Sequence, residues 1–132
     1  MADRTKKVAR ILKVQQDMQK LADWRLATLR REAGELAVAQ EEIVAVFNDD
    51  DRLHGILIDP MARRLRMLAA EADRVKVETV AQEQRVLVQS RKLKQTERLL
   101  ERTTQEEERA RERRELEALL DAVLAKRDAS LP

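Results

Sequence analysis

Asn48-Asp49-Asp50-Asp51-Arg52-Leu53-His54-Gly55-Ile56-Leu57-Ile58-Asp59-Pro60 is the stretch whose reading decides the fold. Asn and Asp compete with helical backbone bonds, and Gly55 loosens the chain. Asp59-Pro60 then reads as an N-cap followed by Pro at the first helical position. On either side the chain is rich in Ala, Leu, Glu, Lys and Arg. Apart from those in the quoted stretch, the only Gly is Gly34. The expectation is one domain over residues 1–132. Helix one covers about 4–47, the connection 48–60, and helix two about 61–128.

Outward from the break, both arms repeat every seven residues. On helix one, one line runs Val8, Gln15, Ala22, Leu29, Leu36, Ile43. Its expected partner line is Ile11, Met18, Arg25, Glu32, Ala39, Val46, with Leu12, Leu26, Ala33 and Phe47 one step on. Helix two carries Leu65, Ala72, Thr79, Val86, Leu93 and Leu100, with Leu68 and Val75 beside them. Gln82, Gln89 and Thr96 continue that second line. Seven-residue seams of this kind imply left-handed supercoiling. The fold class expected is therefore all-α: two long helices in an antiparallel coiled-coil hairpin, the second overhanging. Folding about the break sets Leu36 against Ala72 and Ile43 against Leu65.

Charge supports that pairing near the break. Residues 32–47 hold Glu32, Glu35, Glu41 and Glu42 and no base. The facing residues 61–76 hold Arg63, Arg64, Arg66, Arg74 and Lys76 against Glu71 and Asp73. Opposite flanking charges select partner and orientation. Farther out the test is weaker, because residues 1–31 are strongly basic while 77–107 balance.

The composition also excludes chemistry. Charged residues make up 39% and aromatics 2%, with no Cys and one His, so most nucleophile–base pairs and zinc sites are ruled out. Asp49-Asp50-Asp51 lacks the spacing and bidentate Glu of an EF-hand. No Gly-rich phosphate loop exists. We expect no enzyme, no catalytic residue, no metal and no cofactor. The 27 basic and 25 acidic residues leave a net charge of +2, which argues against nucleic acid. No apolar run reaches the roughly 20 residues of a membrane span, and the N-terminus lacks a signal-peptide core. A cytoplasmic protein is expected.

Protein partners remain, and three surfaces are candidates for them. In the tail, Leu116, Leu119, Leu120, Val123 and Leu124 form a stripe with no intrachain partner. Off the seam of helix one lie Trp24, Val38 and Val44, with Phe47 near the break; Trp is a favoured interface anchor. Lys6, Lys7, Arg10 and Lys13 make a basic amphipathic start, read chiefly as the first turns of the hairpin. A membrane-surface helix and a DNA-binding basic region are its alternatives.

An antiparallel hairpin of basic MADRTKKVARILKVQQDMQKLADWRLATL, the break NDDDRLHGILIDP and an uninterrupted longer second helix resembles the flagellar FliJ and injectisome YscO family of type III export proteins. It is also similar to the two-helix stalk of a rotary ATPase gamma subunit. The resemblance covers nearly the whole chain and rests on length, order and composition. It implies a stalk entering the pore of a hexameric export ATPase, contacting the export gate and escorting substrate chaperones. The protein would then lie in the cytoplasm or at the inner face of the membrane through its partners. The basic start and the tail stripe would enter the ring. Trp24, Val38, Val44 and Phe47 would meet the gate or a chaperone. Other readings are a generic coiled-coil adaptor or a structural rod, homodimeric as a four-helix bundle that buries Trp24, Leu87 and Val88. A prefoldin-like holdase would need a β-hairpin at the junction, which residues 53–58 are too short to supply.

Overall fold

The computed structural model describes residues 2–49 and 57–130. His54, Gly55, Asp50 and Asp51 lie outside the described residues, so the sequence reading of that bend stands apart from the structure. Among the described residues the fold is all-α, with two long helices packed against each other and no strand. Helix α1 spans Ala2–Asp49, 48 residues, and α2 spans Ile58–Ala129, 72 residues.

The expected boundaries shift. Asn48 and Asp49 prolong α1 rather than ending it, since Asn and Asp are only modestly poor helix formers. Helix α2 starts at Ile58, because the Met61 amide donates to the Leu57 carbonyl at 3.1 Å and closes the first turn there. Asp59 and Pro60 are thus the second and third helical residues, not cap and first position. Proline is tolerated there, as the first-turn N–H groups have no intrahelical acceptor. Asp59 still complements the positive end of the dipole.

Two compact units make up the chain. In residues 17–90, Leu29, Leu36 and Val75 form the core, and Ala33, Leu68 and Ala72 pack against it. Val75 is the most enclosed, with no exposure. Leu36 and Ala72 share this cluster, as the pairing expected. Polar contacts fix the antiparallel direction: the Gln82 amide donates to the Ala22 carbonyl at 3.1 Å, and Arg74 lies 3.8 Å from Glu32. In the other unit, residues 1–16 and 91–132, Val8, Thr96 and Thr103 are buried, while Leu12, Leu93 and Leu100 are half-buried.

The partner line on α1 is corrected. Leu26 is buried and Leu12, Ala33 and Phe47 are half-buried; of the expected line Glu32 and Ala39 are half-buried too, whereas Ile11, Met18, Arg25 and Val46 are exposed. Both spacings satisfy a seven-residue repeat. Side-chain chemistry decides: one line would bury Arg25, the other buries Leu26. A buried unpaired charge is far costlier than an exposed Ile or Met. On α2 the line expected to be secondary is the deeper one. It buries Val75, Gln82, Gln89, Thr96 and Thr103, while Leu65, Ala72 and Val86 are half-buried.

Candidate functional site

Among the described residues the candidate side chains lie on helix surfaces. Three features organise them: a partly polar seam, an exposed outer face on α1 and an exposed tail on α2.

The seam residues of α2 hold their polarity by local bonds. The Thr79 hydroxyl donates to the Val75 carbonyl at 2.7 Å, and Thr96 to Lys92 at 3.1 Å. Thr103 and Thr104 both donate to the Leu100 carbonyl, at 3.0 and 2.8 Å. Such back-bonding satisfies a hydroxyl within its own helix. Gln82 differs, because its bond crosses to α1, and Arg85 donates to its Oε1 at 3.4 Å. Sequence reading placed Gln82 on the seam but missed this bond. The only signal was a long amide on a line that begins apolar with Leu68 and Val75.

Charges rim the seam. Arg30 and Glu83 lie 3.5 Å apart across the helices. Arg74 meets Glu32 across them, and Glu71 and Glu78 on its own helix at 3.6 and 2.9 Å. Arg74 is 55% exposed, so water and salt screen all three contacts.

The outer face of α1 holds Trp24 and Val38, and Val44 lies on its flank beside Ile43, all three exposed. Trp24 is two residues from both Ala22 and Leu26, hence across the helix from the seam. It is 62% exposed. Phe47 lies apart from them, half-buried on the line of Leu26 and Ala33. Leu21 is as exposed as Trp24, and sequence reading overlooked it. On α2, Val77 and Val80 are likewise exposed and were overlooked, beside Leu87 and Val88. Continuing the seven-residue count away from the seam would have found them.

The tail stripe is fully accessible. Every residue from 111 to 130 is exposed, including Leu116, Leu119, Leu120, Val123 and Leu124. That is about 30 Å of helix without cover. Lys6, Lys7, Arg10 and Lys13, in the same unit, are exposed too.

Among the described residues no cluster of His, Cys, Asp or Glu could hold a metal ion. No helix of the described residues is long and apolar enough to cross a membrane. Fold and surfaces together define a helical hairpin that presents apolar side chains outward. Comparison with known proteins brings no match: no family model, no curated protein and no solved structure is significantly similar to this chain.

Proposed function

We propose that this chain is a non-enzymatic coiled-coil stalk and chaperone-escort protein of a type III export ATPase complex, flagellar or injectisome. The observation that carries the reading is the uncovered tail of α2, with Leu116, Leu119, Leu120 and Val123 exposed on a helix that α1 does not cover. A lone helix in water gains nothing from such a stripe, so the stripe serves a partner. Its i, i+3, i+4, i+7 spacing suits an amphipathic helix laid into an apolar groove. In this reading the ring of the export ATPase receives the tail stripe together with the basic start, Lys6, Lys7, Arg10 and Lys13. Trp24, Val38 and Val44 serve the export gate or a substrate chaperone. Coupling is mechanical: the stalk biases the ring among its states by binding each with a different affinity. The protein works in the cytoplasm, held at the inner face of the membrane by its partners.

The test is affinity capture of the tagged full chain from its native cells. An export ATPase or its gate should co-purify, and Leu119→Ser with Leu120→Ser should reduce ATPase recovery while helicity stays unchanged. Recovery of neither component, or equal recovery with the variant, overturns the proposal.

A further inference from the structure

The outer face of α1 carries a charge order that makes it complementary to itself. Asp17, Trp24, Arg31 and Val38 follow at seven-residue intervals, all exposed and all across the helix from the seam. We infer that this face pairs antiparallel with the same face of a second copy, about a two-fold axis at Trp24. A two-fold contact requires that if one residue meets another, the reverse also holds. About Trp24 that condition sets Asp17 against Arg31 of the second copy, and Asp23 against its Arg25. Leu21 falls against Ala27, a large residue on a small one. Lys20 meets Thr28, and Arg30 meets Met18. Every charge in residues 17–31 therefore finds an opposite charge or a neutral side chain, and no like pair arises.

The sequence carries the sign pattern outward. Lys13 stands as many residues before Trp24 as Glu35 stands after it. The same holds for Lys7 with Glu41 and for Lys6 with Glu42. A parallel arrangement would instead stack Lys on Lys and Glu on Glu. Like charges in contact cost energy, so the antiparallel register is selected. Trp24 and Leu21, both more than half exposed, supply the apolar centre that such an interface needs. This pairing and the binding of a gate or chaperone at Trp24 exclude each other, so the second copy acts as a competitor for that face.

The experiment is sedimentation of the full chain from low to high micromolar concentration, with Trp24 emission read in parallel. Trp24 is the only Trp, so its signal has one source. The expected result is a concentration-dependent dimer, with emission moving to shorter wavelength as it forms. Asp17→Arg turns two attractive contacts into two repulsive ones and should weaken the dimer on the order of ten-fold. Arg31→Asp alone should do the same, and the two together should restore the wild-type value within about three-fold. Circular dichroism checks that the helices persist. A monomer at every concentration overturns the inference, as does a dimer indifferent to both single variants. An emission shift that appears only on adding vesicles of anionic phospholipid overturns it too.

Discussion

Gln82 is the polar side chain whose removal best tests how the seam holds. It is 5% exposed, and its amide reaches the Ala22 carbonyl across the helices at 3.1 Å. Replacing it with Ala removes that bond, about 1 kcal/mol net, together with the long contact from Arg85 at 3.4 Å, which adds little because it is stretched and Arg85 is exposed. It also uncovers the side-chain stem, whose lost methylene is worth about 0.8 kcal/mol, and it leaves a gap beside α1. The sum is about 2–3 kcal/mol. Gln82→Leu behaves differently. Leu fills the space, and the Ala22 carbonyl keeps its intrahelical bond, so no buried acceptor is orphaned. Gln82→Leu should therefore lie within about 1 kcal/mol of wild type. Urea unfolding followed at 222 nm measures both, with the slope held in common if the denatured state is unchanged. If the two variants fall together within about 0.5 kcal/mol, the bond and the packing have been apportioned wrongly and the reasoning fails.

Other perturbations probe other parts of the molecule. Val75→Ala, at a fully enclosed core position, should cost about 1–2.5 kcal/mol in the same unfolding assay. Arg74→Ala should cost less than about 1 kcal/mol despite three carboxylates around it, and the cost should shrink further in 0.5–1 M salt, roughly where screening shortens to a few Å. Gly34→Ala should raise stability by about 0.5–1 kcal/mol, because an added Cβ meets nothing within 4 Å and Ala favours the helix. Deleting residues 111–132 should remove helical ellipticity in proportion to length and leave the urea midpoint of the remainder in place, since the described residues there are all exposed.

The hairpin was legible because its signals are long and redundant. A single cluster of Asn, Asp, Gly and Pro divides two stretches of sustained seven-residue periodicity, and the length of each stretch averages out local exceptions. The pairing of Leu36 with Ala72 followed from counting back from that cluster. The choice between adjacent lines on α1 was less legible, because Ile11 and Met18 look as apolar as Leu12 and Leu26. Only Arg25, read as a cost of burial rather than as a gap in a stripe, points to the right one. Helix ends moved for a similar reason: Pro60 is as compatible with the third helical position as with the first, and no side chain distinguishes them. The surfaces were half legible. Trp24 and the tail stripe stand off the seam by simple counting, but Leu21, Val77 and Val80 needed the same count carried to the far side. The Gln82 bond needed coordinates, since a seam Gln could equally reach its own helix or solvent.

A contact surface closed by amides and hydroxyls gains little from being dry. Where Gln82 and Gln89 line α2, momentary entry of water merely exchanges one set of partners for another. Around Val75 the same entry would expose hydrocarbon with nothing in return. Each such opening is thus cheap at the polar positions and dear at the valine, so backbone protons near Gln89 should trade with deuterium sooner than those flanking Val75. The zipper loosens first where its teeth are wettable.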